Sequence, residues 1–240
     1  MTTILFGWGR MFDLPSPSPY VAKADMQLQL LGIEFDRAVA DLDTVSKHKA
    51  PYVNDGGTVI EDSEFIRAHF ERKTGRDLDV GLIPAERATA RALSGMLENR
   101  LSTIMACERW LIDENFDRGP RMFFADVPEA MREEVIGQVR GDLQKSMHGV
   151  GIGRFTRDER IQIAAADIAA VAALLGDKAC LFGARASAAD AVAYGALSAC
   201  STRFFESRLP DLIAAHPTLS AYLARIEQTY FAEDRWPAMA

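Results

Sequence analysis

The chain has 240 residues, of which 48% are hydrophobic and 25% charged. That composition is close to the average for folded globular proteins and excludes a disordered chain, a collagen-like repeat or a small disulfide scaffold. The net charge of −7 comes from 34 acidic and 27 basic residues with no basic cluster or tail, which argues against nucleic acid and anionic membranes as partners.

Residues 3–8, Thr-Ile-Leu-Phe-Gly-Trp, are apolar, β-favouring and closed by turn-rich sequence up to Pro19, which predicts a buried first strand. The opening decapeptide has no basic stretch and no small-residue cleavage site, so no export signal is expected. From Tyr20, apolar Val21, Ala24, Leu28 and Leu31 follow helical spacing up to Gly32, a natural C-cap. Residues 33–39 alternate apolar and charged, the period of a half-buried strand. Residues 50–53 and 58–60 flank Asn54-Asp55-Gly56-Gly57 and predict a hairpin. A helix over Ser63–Lys73, stopped at Gly75, closes a β-α-β, β-β-α unit expected over residues 1–76.

A glycine- and proline-punctuated linker, 77–84, leads into a region without convincing strands, expected as an all-helical domain over 85–240. One long helix is expected over 85–115, with Leu93, Met96, Leu97, Leu101, Ile104, Met105 and Leu111 at helical spacing. Four more are expected over 128–147, 156–176, 187–205 and 217–229. The most apolar of these opens on Ser187-Ala-Ala-Asp190, a capping-box spacing with aspartate in place of glutamate. The longest stretch free of charge and proline there, 191–202, is too short to span a bilayer.

Ser16 and Ser18 lie just before the first helix, where unpaired N–H groups and the helix dipole favour a thiolate or carboxylate. Ser18 could equally serve as a plain cap with Pro19 at the first helical position. Pro51 follows a small residue at a strand start, a place that suits a cis bond leaving the backbone of Ala50 free to pair with a peptide-like ligand. Asp62 and Ser63 open the second helix, where a carboxylate and a hydroxyl beside free N–H groups could hold a zwitterion or simply cap the helix. His48, His69, His148 and His216 have no ligand spacing, so no metal site is expected. Gly149–Gly153 lacks the βαβ surroundings of a dinucleotide fingerprint and is expected as an interhelical turn. Cys107, Cys180 and Cys200 form no C-x-x-C pair and are expected as inert free thiols in the cytoplasm.

In order, Ser18-Pro-Tyr-Val-Ala-Lys23, His48-Lys-Ala-Pro-Tyr-Val53 and Ile60-Glu-Asp-Ser-Glu-Phe-Ile66 resemble the thioredoxin-like half of glutathione transferases. The pattern is similar to the tau-like serine type and to the metaxin and failed-axon-connections branch. Gly151–Phe155, Leu175–Lys178, Phe182–Asp190 and His216–Leu219 resemble the same branch, so the similarity runs over almost the whole chain. The resemblance implies a glutathione transferase fold, with an α/β thioredoxin-like N-terminal domain and an all-α C-terminal domain, glutathione as co-substrate and a homodimer.

Position by position, it implies that Ser18 hydrogen-bonds the glutathione sulfur and that Lys49 lies near the glycine carboxylate. Ala50, before Pro51, would pair with the cysteinyl unit, and Asp62 and Ser63 would hold the γ-glutamyl end. Asp62 stands where the family more often has glutamate, and the Gly9–Pro17 segment is longer than in the tau pattern, leaving Ser16 as a rival to Ser18. Ser18-Pro-Tyr-Val21 occupies the frame of a glutaredoxin Cys-Pro-Tyr-Cys without either sulfur, which disfavours dithiol exchange. The implied activity is thiol activation for attack on a small electrophile, in a pocket expected around Met96, Arg100 and Ile104. The alternative is a non-catalytic binding or assembly module of the metaxin kind.

Overall fold

The computed structural model describes residues 2–237. Strand β1 (Thr3–Gly7) leads through a long loop to helix α1 (Pro19–Leu30), then to β2 (Asp36–Val39), and β3 (Tyr52–Asp55) and β4 (Thr58–Glu61) form a hairpin before α2 (Ser63–Thr74). The sheet order is β2-β1-β3-β4, with β1 parallel to β2 and antiparallel to β3. Leu5 pairs with Val53 in this register, and both are fully buried with Leu28, Ile66 and Phe70 from the two helices. The hairpin turn is fixed by Asn54 Oδ1, which accepts the Gly57 N–H at 2.7 Å. The second strand is shorter than the alternation predicts; Ile33 and Phe35 pack on the core ahead of it.

Helix α1 is buried almost all round, polar Lys23, Asp25 and Gln27 included, because it faces two cores. Leu28 and Leu31 pack into the sheet side, while Ala22 and Met26 join the larger helical core. Its first turn is therefore held from both sides, and the residue before it, Ser18, is placed by that clamp.

The second half holds α3 (Pro84–Met96), α4 (Ser102–Trp110), α5 (Asp113–Arg118), α6 (Glu129–Gly149), α7 (Arg157–Leu175), α8 (Ala188–Ser201), α9 (Leu209–Ala214) and α10 (Pro217–Tyr230). The expected helix over 85–115 is not continuous. A π-helical turn over Leu97–Leu101 separates α3 from α4, and the chain bends again before α5. A π turn inserts one extra residue, so α4 presents a different face from the one that an uninterrupted 3.6-residue period extrapolates. Leu93, Leu97, Leu101, Ile104 and Met105 are all buried within the chain. The helix expected over 187–205 ends at Ser201, and α5 and α9, six residues each, were too short to register as periodic patterns.

The predicted capping box opens α8. Asp190, fully buried, accepts hydrogen bonds from the Ser187 N–H and hydroxyl at 2.8 Å each. It also accepts from the Leu181 N–H and the Tyr222 hydroxyl, each at 2.9 Å. One carboxylate thereby ties the loop before α8 to α10 with its acceptor capacity filled.

Candidate functional site

Two concavities meet at the N-terminus of α1. One is a polar cleft lined by Tyr20, Lys23, Lys49, Ala50, Pro51, Asp62, Ser63, Glu64, Arg91, Glu98 and Asn99. The other is a largely apolar cavity of about 640 Å³ between the β1–α1 loop, α4 and α6. Tyr20 borders both, and Ser18 lines the apolar one.

Ser18 is the N-cap of α1, half-buried, its Oγ accepting the Val21 N–H at 3.4 Å, with Pro19 at the first helical position. Ser16 is buried, and its Oγ accepts the Ser18 N–H at 3.3 Å. The two serines are thus separated by position: Ser18 faces the cavity, and Ser16 braces the loop behind it.

In the polar cleft, the Ala50–Pro51 peptide is cis, as its sequence position suggested. Among the described residues, the N–H and C=O of Ala50 take no intramolecular backbone partner. The Pro51 carbonyl accepts the Asp62 N–H at 3.1 Å, which joins the start of β3 to the start of α2. Asp62 has φ 86°, in the region that favours glycine; such strain persists only where the surroundings impose it. Its Oδ1 caps α2 through the Glu64 N–H at 3.0 Å, and its Oδ2 accepts from Lys49 Nζ at 2.7 Å. Burial opposes ionisation of Asp62, but the hydrogen bonds from Lys49 and the Glu64 N–H outweigh it and hold the carboxyl below its ordinary range. Ser63, at the first position of α2, is buried at the cleft floor.

Several further side chains shape the cleft. Lys23 is buried, with Nζ 2.7 Å from Glu98 Oε1 and 3.4 Å from Glu64 Oε2. It lies three residues after Tyr20, one helical turn along the same face, and that spacing was the available signal. Tyr20 donates to the Glu98 carbonyl in the π turn at 2.9 Å. Burial, with the negative charges of Glu98 and Asp62, pushes its phenol up to about 12, so it stays protonated at neutral pH.

The apolar cavity departs from expectation. None of Met96, Arg100 and Ile104 is among its lining residues. Ile104 is fully buried in the helical core, Met96 packs on that core, and Arg100 is paired with Asp167 of α7, Nε to Oδ2 at 2.8 Å. For Ile104 the π turn is the physical reason: after it, Ser102, Thr103, Met105, Ala106, Arg109 and Trp110 present to the cavity instead. Arg109 is buried, donating to the carbonyls of Pro17 at 2.8 Å and Ala199 at 2.5 Å, with its guanidinium 4.9 Å from the centre of the Phe205 ring.

Cys107 and Cys200 are buried, Cys180 is partly so, and burial raises all three thiols, Cys180 to about 11 and Cys200 to about 12. Among the described residues, no cluster of three or more His, Cys, Asp or Glu could hold a metal ion, and no helix is long and apolar enough to cross a membrane.

Comparison with known proteins agrees with this arrangement. Residues 19–115 match the glutathione S-transferase N-terminal domain and residues 164–226 the glutathione S-transferase C-terminal domain. The chain is 29% identical to the isoprene-epoxide–glutathione S-transferase of Rhodococcus sp. strain AD45, over 94% of this chain and 98% of that protein. It is 26% identical to Failed axon connections of Drosophila melanogaster over 81% of this chain but only 49% of that longer protein. Human Metaxin-2 is 23% identical over 78% of this chain and 71% of its own length. Among solved structures, the β-etherase LigF of Sphingobium sp. strain SYK-6 superposes with a TM-score of 0.68 at 16% identity, covering 95% of each chain. A glutathione S-transferase of Methylobacterium radiotolerans in complex with glutathione sulfonate gives 0.63 at 19% identity, covering 100% of this chain and 97% of that one. The fold is that of the glutathione transferases, and both halves of the chain are glutathione S-transferase-like.

Proposed function

We propose that this glutathione S-transferase-like chain binds glutathione in the polar cleft and presents its thiol, activated by Ser18, to a small electrophile in the apolar cavity. The observation that carries this reading is the junction of the two concavities at the α1 N-terminus, with Ser18 facing the cavity and Tyr20 bordering both. Lys49 would receive the glycine carboxylate, the free backbone of Ala50 beside Pro51 the cysteinyl unit, and Asp62 with Ser63 the γ-glutamyl ammonium and carboxylate. A free thiol has a pKa of about 8.5; a hydroxyl donor and a helix N-terminus bring it toward neutrality.

The chemistry is addition or displacement with no redox step. The thiol proton leaves to solvent, and the sulfur electron pair forms a bond to the electrophilic carbon. With an epoxide, the substrate type named for the Rhodococcus relative, the carbon–oxygen bond breaks and the oxygen takes up a proton, giving a hydroxy-thioether. The gain comes from holding thiolate and carbon together. A detoxifying role in the cytoplasm fits free, unpaired cysteines. A homodimer is part of the proposal, supported by exposed Val59, Phe65, Val80 and Ile83 between β4 and the start of α3.

The second reading, a binding or assembly module without turnover, is favoured by the similarity to Failed axon connections and Metaxin-2. Calorimetric titration with glutathione, followed by a conjugation assay with a small epoxide, decides between the two. Binding with turnover supports the transferase, binding without turnover a glutathione-binding module, and absence of binding overturns the transferase and leaves the assembly module.

A further inference from the structure

Among the residues that line the apolar cavity, Arg109 is the only charged one; the walls are otherwise aromatic and aliphatic side chains, with the hydroxyls of serines, Thr103 and Tyr20. The guanidinium is buried, and among the described residues no carboxylate lies within 4.0 Å of it. Its identified hydrogen bonds go to two backbone carbonyls, which use two of its five N–H donors. A buried cation without a counter-ion is costly and is normally paired. Two helical turns earlier on α4, the buried Ser102 hydroxyl lines the same cavity, close enough to the Tyr20 phenol to offset part of the rise that burial imposes on its pKa. Burial lowers the Arg109 guanidinium to about 10, so it carries its charge throughout the neutral range. An apolar chamber holding one desolvated positive charge is complementary to an apolar molecule with one negative group.

We propose that the second substrate is an apolar electrophile carrying a single carboxylate, which Arg109 holds while the electrophilic carbon faces Ser18. This rests on the transferase reading for the electrophile, whereas the anion preference of the cavity stands without it. Arg109 also fixes the carbonyl of Pro17, next to Ser18, so its charge could instead serve the thiolate, and the test separates the two roles.

The first arm needs no glutathione: calorimetric titration of the full chain with 3-phenylpropionate and with 3-phenylpropionamide. The carboxylate is expected to bind about tenfold more tightly, in keeping with a hydrogen-bonded charge pair in a water-poor site. Equal binding, or tighter binding of the amide, overturns the proposal. The second arm compares ethacrynic acid with its methyl ester as acceptors. In both, the glutathione sulfur adds its electron pair to the terminal alkene carbon, the π pair moves onto the enone as an enolate, and the enolate takes up a proton from solvent. The acid is expected to show the higher kcat/KM by about tenfold, and Arg109→Gln to erase that ratio while ester turnover persists. A variant that loses acid and ester turnover equally assigns the charge to the thiolate and overturns the acceptor role. Where Arg109→Gln fails to fold, the wild-type pair carries the decision: a higher kcat/KM for the acid supports the proposal, and no preference for the acid overturns it. If neither acceptor is turned over and glutathione does not bind, the transferase reading fails, and the phenylpropionate titration still decides the anion site.

Discussion

Lys49 and Asp62 hold each other across the polar cleft, Nζ to Oδ2 at 2.7 Å. The proposed function assigns these side chains to opposite ends of glutathione, and on that reading binding exchanges one ion pair for two contacts to the tripeptide. Lys49 is half-exposed, and exposed pairs contribute at most about 1 kcal/mol; the exchange is therefore cheap, and the pair acts as a latch rather than a lock.

It follows that Lys49→Met should weaken glutathione binding, by about tenfold if a charge-assisted contact to the glycine carboxylate is lost. Calorimetric dissociation constants decide it. Were Lys49 merely a partner of Asp62, its removal would leave the aspartate freer for the ammonium, and affinity would rise instead. Added potassium chloride should weaken wild-type binding and affect Lys49→Met less.

Ser18 and Ser16 should separate in kinetics as they do in space. Ser18→Ala is expected to lower kcat by roughly 10- to 100-fold, the range of a hydrogen bond to a charged group, with little change in glutathione affinity. The alkaline rise of its pH–rate profile should move up toward the free thiol value of about 8.5. Ser16→Ala, which removes only a brace on the Ser18 N–H, should keep the wild-type profile. A reversed pattern would show that the β1–α1 loop presents the other serine.

Much of this was legible in the sequence for a physical reason. Gly32 and Gly75 end α1 and α2 with φ of +66° each, and Pro19, Asn54 and Asp190 each impose a local geometry that any context must accept. The apolar cavity was not legible, because its lining depends on a π turn at Leu97–Leu101 that no residue in that stretch announces. Beyond that turn the inserted residue moves the face off Ile104 and presents Ser102, Met105 and Arg109 instead. Buried Lys23 was hidden for a different reason: its partners Glu64 and Glu98 are 41 and 75 residues away in the chain.

Acid stability should depend on Asp55. Burial opposes its ionisation, yet hydrogen bonds from Lys73, His69 and Thr3 prevail and bring its pKa down to about 2. A carboxyl depressed below its unfolded value of about 3.9 contributes stability above that pH and loses it as pH falls toward the folded value. Wild-type stability by urea titration should therefore decline between about pH 4 and about pH 2. Asp55→Asn should be less stable at neutral pH and show a flatter decline over that window. Parallel pH curves for the two proteins would mean that the Asp55 cluster has the same proton affinity folded and unfolded.

Finally, the position of Ser18 should be sensitive to a residue that touches no ligand. Gly195 on α8 lies against the first turn of α1 so closely that an added Cβ would overlap the Pro19 carbonyl oxygen and sit 3.1 Å from its carbon. These are backbone atoms and cannot rotate aside, so Gly195→Ala must push α1 and α8 apart at the residue that follows Ser18. Overpacking of this kind costs about 1–3 kcal/mol, visible as a drop of several degrees in Tm, and kcat/KM should fall further than the folded fraction alone explains. Gly137 in α6 is the control: nothing lies within 4 Å of a Cβ built there, so Gly137→Ala should stabilise the helix by roughly 0.5–1 kcal/mol and leave activity unchanged. If Gly195→Ala is as stable and as active as the wild type, α8 does not set the α1 N-terminus, and the clamp between the two cores is not what places Ser18.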